Sequence, residues 1–222
     1  MSDSPKDRSS LEQAVESGAR PWTESPFYER AEPFVHVFWN DGTVFRRLFD
    51  ELELDSVLEL ACGHGRQSAQ LVERAQKLVL MDVIEENVEF CKKRFQGQPH
   101  ISFVRNNGHS FQPVQDGSLS AIVCYDSMVH FAPEVVAAYL IDAARVLRPG
   151  GKALLHHSNY SAAPGKNFGL NPHARNHMSK DLFAAYANEA GLEILESVII
   201  PWAKEPNLDC VSLLRRPRAS AR

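Results

Sequence analysis

The stretch VLELACGHGR, residues 57–66, joins a short apolar run to two closely spaced glycines. The segment Ser56–Ala61 is typical of a buried strand because it is apolar and short. Gly63 and Gly65 allow a tight turn and a close approach of the backbone to a ligand at the start of the next helix. Glycines also close many strand–helix turns for steric reasons alone. This turn indicates a ligand site only if other motifs in the chain support it.

Strand and helix patterns alternate along the chain from this stretch onward. The predicted strands are Ser56–Ala61, Lys77–Met81, Ile101–Val104, Leu119–Tyr125, Lys152–His157, Leu192–Ile200 and Asp209–Leu214. The predicted helices are Gln67–Arg74, Glu85–Phe95, Pro133–Leu147 and Ser179–Ala190. This alternation predicts an α/β fold with a mostly parallel sheet that is covered by helices on both faces. Ligands of such sheets bind at the carboxyl ends of the strands.

Composition excludes several classes of protein. The chain has 222 residues, which suits one α/β domain, and its 44% hydrophobic and 23% charged residues are ordinary for a globular protein. Its 24 Lys and Arg against 28 Asp and Glu give a net charge of −4, which argues against a broad nucleic-acid-binding surface. No apolar run reaches the roughly 18–20 residues that span a bilayer, and the N-terminus has no signal-peptide core. We expect a cytoplasmic protein without nucleic-acid or membrane partners, with buried thiols at Cys62, Cys91, Cys124 and Cys210.

The chain divides into an arm, one domain and a tail. Residues 1–25 are polar and weakly periodic, so we expect a flexible N-terminal arm. Residues 26–216 form a single domain, whose first part, 26–55, is predicted to be helical and is rich in aromatic residues near its start. This part either packs on the domain as a helix or covers a ligand as a lid. Residues 217–222 are expected to be a solvated basic tail.

An acidic residue follows the second predicted strand. Asp82 comes about twenty residues after the glycine turn, where a carboxylate can accept hydrogen bonds from both hydroxyls of a ribose. Position 68 is Ser, so the turn has no third glycine in the GxGxxG spacing, which disfavours a pyrophosphate-binding dinucleotide fold. The combination favours a nucleoside that carries no phosphates.

Further motifs follow in order along the chain: LVLMD (78–82), FVRNNGHSF (103–111), DGSLSAIVCYDS (116–127) and LRPGG (147–151). With these motifs, and over roughly residues 40–215, the chain resembles the class I S-adenosylmethionine-dependent methyltransferases of the small-molecule type. The resemblance implies a doubly wound, Rossmann-like, seven-stranded and mostly parallel sheet with a C-terminal antiparallel strand and helices on both faces. It also implies S-adenosyl-L-methionine as the cofactor and S-adenosyl-L-homocysteine as the product.

The resemblance assigns residues to the cofactor. It places Glu59 near the amino group, Asp82 on the ribose hydroxyls and Asn107 beside the adenine, where the family's usual aspartate is absent. Arg66 either pairs with the methionine carboxylate or is solvated. The complete set of predicted cofactor-binding residues is Glu59, Ala61, Gly63, Gly65, Arg66, Asp82, Val83, Asn107, Gly108 and Tyr125.

Methyl transfer to a hydroxyl or amine is an in-line displacement that usually requires removal of a proton, and histidine suits that task near neutral pH. His157 ends the fifth strand, where several family members have a polar pocket residue. His130 follows the fourth strand, where many members have a histidine, although it could equally be a helix-start residue bonded to backbone. Asp126 could orient a substrate or a base, or cap the next helix. We predict His157, His130 and Asp126 as catalytic residues.

The segment 159–178 is rich in Gly, Pro, Asn and Ser and is predicted to be a substrate-recognition loop rather than a merely solvated one. We predict substrate contacts from Tyr28, Trp39, His173, Arg175 and His177. No metal is expected, because Ser158 stands where metal-dependent relatives of the family have a second carboxylate and one carboxylate makes a poor magnesium site.

These observations predict metal-independent methyl transfer to an oxygen or nitrogen of a small molecule, with a histidine as the base, by a monomer or homodimer. One alternative is a cofactor-binding regulator or scaffold of the same fold that has no catalytic activity. A nucleotide-dependent oxidoreductase is a further alternative, which the missing third glycine disfavours.

Overall fold

A computed structural model describes residues 5–162 and 167–218. Its α-helices are α1 (Pro5–Ala19), α2 (Phe27–Ala31), α3 (His36–Trp39), α4 (Val44–Phe49), α5 (Ser68–Leu71), α6 (Glu85–Arg94), α7 (Pro133–Val146) and α8 (Lys180–Glu189). Its strands are β1 (Val57–Leu60), β2 (Leu78–Asp82), β3 (Ile101–Arg105), β4 (Leu119–Cys124), β5 (Leu147–Ser158), β6 (Glu193–Trp202) and β7 (Glu205–Arg215). Short 3₁₀ helices lie at Arg20–Trp22, Glu32–Phe34, Met128–His130, Phe168–Leu170 and Pro172–Ala174.

The strands form one sheet in the order β3-β2-β1-β4-β5-β7-β6. Each neighbouring pair from β3 to β5 is parallel, whereas β7 is antiparallel to both β5 and β6. Six strands therefore point the same way, and the predicted doubly wound sheet with a C-terminal antiparallel strand is confirmed. The strand order reverses between β1 and β4, so the ligand crevice of such a fold is expected beside the carboxyl ends of these two strands.

The central strands are apolar because both faces of the sheet are covered. Every residue of β1 and β4 is buried. Side chains alternate along β1, so that Val57 joins one core with Phe45 and Leu48 of α4, while Leu58 joins the opposite core with Phe183 of α8. Helices α4 and α8 therefore cover opposite faces of the sheet.

The N-terminal segment differs from the expected flexible arm. Residues 5–22 form α1 and a 3₁₀ helix, and Leu11, Ala14 and Val15 pack against the core on the α7 side of the sheet. These three residues recur at helical spacing on an otherwise polar helix, which gives α1 a narrow apolar face. Of the predicted basic tail, residues 219–222 lie outside the described part of the chain. Within the described residues, no helix has the length and apolar character that crossing a bilayer requires.

Candidate functional site

A cavity lies at the carboxyl ends of β1, β2 and β4, under the N-terminal helices. Its empty volume, including the open space at its mouth, is about 1030 Å³. The predicted site residues that line it are Tyr28, Glu59, Ala61, Gly63, Arg66, Asp82, Val83, Gly108, Tyr125, Asp126 and His130. The switch in strand order therefore brings together most of the predicted cofactor residues.

Asp82 forms the floor of the cavity at the end of β2. Its Oδ2 accepts a hydrogen bond from the Gly63 amide and its Oδ1 accepts one from the Ile84 amide, both at 2.9 Å. The residue is only 4% exposed, and burial raises the pKa of its carboxyl group. Each carboxylate oxygen keeps a further lone pair, so Asp82 can accept two more hydrogen bonds from a diol.

Three buried polar atoms beside the cavity have no hydrogen-bond partner among the described residues: Glu59 Oε2, Gln67 Nε2 and the Tyr125 hydroxyl oxygen. All three residues line the cavity. Burial raises the pKa of Glu59 to about 8. Unpartnered buried polar atoms are rare and costly. The Tyr125 ring packs against Trp39 and Phe45 in the core, so Glu59 and Gln67 are the candidates for contact with a polar ligand.

The N-terminal segment forms the roof of the cavity. The Tyr28 ring lies against Gly63, where an added Cβ would come 2.7 Å from the ring atom Cε1, and the Tyr28 hydroxyl accepts a hydrogen bond from Asn87 at 2.9 Å. Val15 of α1 packs equally closely on Gly108. The glycines thus leave space that aromatic and aliphatic side chains of the roof occupy.

Gly65 serves packing in the structure. An added Cβ at Gly65 would come 2.6 Å from Phe95, directly after α6, and the Gly65 φ of +78° is in the left-handed region. The prediction that Gly65 approaches the cofactor therefore differs from its observed place, where it lets α6 pack on the turn.

Asp126 lines the cavity two residues after the end of β4, with a left-handed φ of 45°. Its carboxylate pairs with Arg66 at 3.3 Å and with Arg175 at 3.6 Å, and its backbone amide donates to His156 Nδ1 at 3.1 Å. Arg66 also donates to the Ala31 carbonyl at 3.0 Å, which ties the roof to the glycine turn. Asp126 is therefore an ion-pair partner rather than a free base.

A buried ion pair lies behind Asp126. Asp209 of β7 accepts hydrogen bonds from Arg175 Nε at 2.8 Å and from Arg175 Nη2 at 2.6 Å. It also accepts one at 3.0 Å from His156 Nε2, which carries the proton because Nδ1 is the acceptor of the Asp126 amide. Burial raises the pKa of Asp209, but the hydrogen bonds from His156 and Arg175 outweigh it and bring the pKa to about 2.

His130 lines the cavity and has a defined tautomer. Its Nδ1 lies 2.7 Å from the Ala174 carbonyl oxygen, and since a carbonyl only accepts, Nδ1 carries the proton. Its ring packs against Trp22 with 4.5 Å between centroids. Burial and the charge of Arg175 lower the pKa of His130 to about 4. Near neutral pH it is an uncharged imidazole, and among the described residues nothing is hydrogen-bonded to Nε2.

His157 lies away from the cavity, contrary to its predicted catalytic role. Its Nε2 is 2.9 Å from the Ser212 hydroxyl, its Nδ1 is 2.9 Å from the Ser158 carbonyl, and its ring stacks on Phe183 of α8 at 3.7 Å. Alternation along β5 directs His156 towards Asp126 and His157 under a helix. Both ring nitrogens of His157 are thus engaged in a buried structural contact.

The predicted substrate residues are dispersed in the structure. Tyr28 is in the roof, whereas Trp39 is buried in the core with its Nε1 donating to Gln67 at 2.7 Å. Arg175 is only 2% exposed. His173 is exposed, and His177 lies half-buried beside Tyr160. Residues 163–166 of the predicted recognition loop 159–178 lie outside the described residues.

Asn107, predicted to flank the adenine, is exposed, and its side-chain oxygen accepts hydrogen bonds from the amides of His109 and Ser110. Its neighbour Asn106 is buried, and the Asn106 side-chain oxygen accepts a hydrogen bond from the Gly108 amide at 3.2 Å. The Asn106 side-chain nitrogen donates to the Ser110 carbonyl at 2.9 Å and to the Tyr139 hydroxyl at 2.8 Å, and neither asparagine lines the cavity. Among the described residues, no group of three or more His, Cys, Asp and Glu is arranged to hold a metal ion.

Sequence reasoning missed the contributions of the N-terminal segment and of α5. Val15, Gly18 and Trp22 line the cavity from the segment that was expected to be an arm, and Gln67 lines it just before α5. The recurrence of Leu11, Ala14, Val15 and Gly18 at helical spacing is the signal that could have identified α1 as part of the site.

The fold places a cavity at the switch point of a doubly wound α/β sheet, and comparison with known proteins shows which proteins the chain is similar to. Residues 57–151 match the family model described as "Methyltransferase domain". The resemblance of the chain to the class I S-adenosylmethionine-dependent methyltransferases is thereby confirmed.

Individual relatives agree with this assignment. A probable S-adenosylmethionine-dependent methyltransferase of Mycolicibacterium smegmatis is 25% identical over 162 residues, which cover 72% of this chain and 61% of the relative. A fatty-acid O-methyltransferase of the same organism is 30% identical over 103 residues, which cover 46% of this chain and 36% of the relative. The chain thus spans about three fifths or less of the length of these relatives.

Among solved structures, the geranyl diphosphate C-methyltransferase of Streptomyces coelicolor superposes with a TM-score of 0.68 at 12% identity. The superposition covers 91% of this chain and 97% of that structure. At this identity the likeness shows the shared fold.

Asp209→Asn should lower the free energy of unfolding at neutral pH by about 3–5 kcal/mol, because the buried Arg175 loses its charged partner. Since the pKa of Asp209 in the folded protein is about 2, against an ordinary 3.8, its stabilisation is present above pH 3.8 and fades as the pH falls towards 2. Urea unfolding of the variant and the wild type at several pH values measures both effects. Glu193→Gln, which removes the exposed partner of Arg215, is the matched control and should cost less than about 1 kcal/mol. Equal losses in the two variants would contradict the prediction.

Proposed function

We propose that this protein transfers a methyl group from S-adenosylmethionine to an oxygen or nitrogen of a small molecule, without a metal ion and with His130 as the general base. The observation that carries the proposal is a single cavity that combines the buried Asp82 carboxylate, the unpartnered Glu59 oxygen and the neutral His130 ring. Each of these groups matches a different part of the reaction: the ribose, the amino group and the acceptor proton.

The chain's own residues fit the cofactor. Asp82 has lone pairs for two ribose hydroxyls, and the Glu59 carboxylate would pair with the ligand's ammonium group. Val83 and Gly108 line the part of the cavity where the adenine would lie, and Val15 of α1 packs against Gly108 there. When bound, S-adenosylmethionine supplies an electrophilic methyl group on a sulfonium, which an aligned nucleophile displaces.

His130 would accept the acceptor's proton at Nε2. Nδ1 keeps its proton and donates it to the Ala174 carbonyl, so the ring keeps its orientation while it becomes an imidazolium. The carboxylates of Asp126 and Asp209 favour that cation, whereas burial and Arg175 disfavour it. The balance leaves a neutral ring before the reaction, which is the form that a general base requires.

The walls of the cavity support a small acceptor. Trp22, Phe27 and Phe131 line it beside His130, and the roof that Tyr28 and Val15 form covers the glycine turns. An aromatic wall with few polar groups suits a compact organic molecule that presents one hydroxyl, carboxyl or amine to the base. The fatty-acid O-methyltransferase among the relatives, as its name states, methylates an oxygen of an apolar acceptor.

The direct test is transfer of a labelled methyl group from S-adenosylmethionine to a panel of phenols, carboxylic acids and amines. The wild type should convert at least one class, and His130→Gln should lower turnover by about 100-fold or more because the base is removed. His130→Gln should still bind S-adenosylhomocysteine as the wild type does.

His36→Gln is the matched control, since His36 is exposed on α3 and should leave turnover unchanged. Unchanged turnover in His130→Gln would remove His130 as the base. A wild type that binds the cofactor but methylates no class of acceptor would instead favour a cofactor-binding regulator or scaffold.

We expect Glu59 to release a proton when the cofactor binds. The pKa of Glu59 is about 8 in the free site, so below pH 8 the carboxyl is mostly neutral, and a ligand ammonium beside it would favour ionisation. Calorimetric titration with S-adenosylhomocysteine in buffers of different ionisation enthalpy should show this release one pH unit below 8 and little of it one unit above. Glu59→Gln isolates the effect, because it removes the ionisable group and nearly keeps its shape. The same proton release in both proteins would refute the role of Glu59.

A further inference from the structure

Two consecutive non-glycine residues adopt left-handed backbone conformations in the segment that follows β5. The φ angles are 48° at His173 and 53° at Ala174. Such conformations cost about 1–3 kcal/mol each and persist where the surrounding structure enforces them. Arg175 comes directly afterwards and is only 2% exposed.

Arg175 fixes the segment to the sheet. Besides its two hydrogen bonds to Asp209 of β7, its guanidinium lies 4.7 Å from the centre of the Trp202 ring on β6 and donates to the His173 carbonyl at 3.2 Å. Its own carbonyl accepts a hydrogen bond from Asn171 at 2.8 Å. Both the side chain and the backbone of Arg175 are therefore held.

The held segment contacts the cavity through His130. The Ala174 carbonyl, one residue before Arg175, accepts the Nδ1 proton of His130 at 2.7 Å. One residue after Arg175, the Asn176 side chain donates to the His130 carbonyl at 3.2 Å, and the Asn176 amide donates to the Val129 carbonyl at 2.9 Å. The position of Arg175 therefore decides where the acceptor of the Nδ1 proton lies.

We propose that Arg175 is a positioning residue: through its ion pair with Asp209 it fixes the Ala174 carbonyl, which holds His130 in the tautomer with an unprotonated Nε2. The sequence analysis assigned Arg175 to substrate contact, whereas its 2% exposure places it behind the site. The inference rests on the proposed function in one respect: only if His130 is the base does its free Nε2 lone pair take part in catalysis. The tautomer itself is measurable without an acceptor.

Charged groups near His130 also affect whether its ring is protonated. Arg175 disfavours a protonated ring, while the carboxylates of Asp126 and Asp209 favour one. Among the described residues, the aromatic rings of Trp22 and Phe168 also lie beside the His130 ring. Loss of Arg175 thus removes the only cation among these described neighbours and, with it, the anchor of the Ala174 carbonyl.

The test is nuclear magnetic resonance of the full chain labelled with ¹⁵N histidine, in which two-bond correlations distinguish the tautomers. The signals of His130 are assigned by their loss in His130→Gln. The wild type should show a neutral ring protonated at Nδ1. Arg175→Met should show a mixture of tautomers and a titration midpoint raised by about one pH unit or more.

Arg175→Met leaves Asp209 buried without its main partner, so the double variant Arg175→Met/Asp209→Asn, which removes both charges, guards against loss of folding. Arg175→Lys keeps the charge without the forked geometry and should mix the tautomers with a smaller change of midpoint. Arg47→Met is the control, because it removes a guanidinium from the exposed ion pair with Glu196 and touches neither the cavity nor the segment that carries Ala174; the tautomer and the titration midpoint of His130 should be unchanged.

Wild-type tautomer and midpoint in any folded Arg175 variant would overturn the proposal. This result is separable from failure of the proposed function. If the His130 signals change as expected but His130→Gln retains turnover, the base assignment is wrong and Arg175 has no catalytic consequence. If His130 is essential for turnover and its signals do not depend on Arg175, only the positioning role is wrong.

Discussion

The hydrogen bond from the Gly63 amide to the Asp82 carboxylate joins the turn after β1 to the end of β2, and the floor of the cavity depends on it. A parallel sheet brings these two strand ends side by side, but it does not fix the conformation of the loops beyond them. The Asp82 carboxylate fixes both loops because it accepts hydrogen bonds from the backbone amides of Gly63 and Ile84. The same residue lines the cavity.

The site is maintained at some expense in stability. Burial keeps Glu59 protonated up to about pH 8 in the folded protein, whereas the unfolded chain loses that proton near pH 4.5. Between these values the folded state binds more protons than the unfolded state, so this group makes folding less favourable as the pH rises. The left-handed backbone at Asp126 and Ala174 adds strain in the same region. Unpartnered and strained groups that gather at one cavity are the expected signature of a binding site.

Sequence patterns predicted those features that local geometry determines. The turn after β1, the place of Asp82 at the end of β2 and the alternation of strands and helices depend on neighbours within a few residues, and the structure has these features where the sequence predicts them. Within the turn, Gly63 lines the cavity but Gly65 packs on Phe95. The roles of His157 and Arg175 depend on which residues of α8 and β7 pack against them, and a single sequence does not specify those partners. Asn107 was assigned to the adenine but is exposed, because a loop motif has no periodicity that shows which of its side chains is buried. The narrow apolar face of α1 was overlooked because it comprises few residues on a polar helix.

Binding of the cofactor product is the most direct measurement, since every proposed role depends on that ligand occupying this cavity. Calorimetric titration with S-adenosylhomocysteine should give micromolar binding, on the order of 8 kcal/mol. Asp82→Asn should weaken it by tenfold or more, about 1.4 kcal/mol, while the exposed control Asp116→Asn should match the wild type. Absence of binding by the wild type, or equal affinity in Asp82→Asn, would contradict the assignment of this cavity to the cofactor.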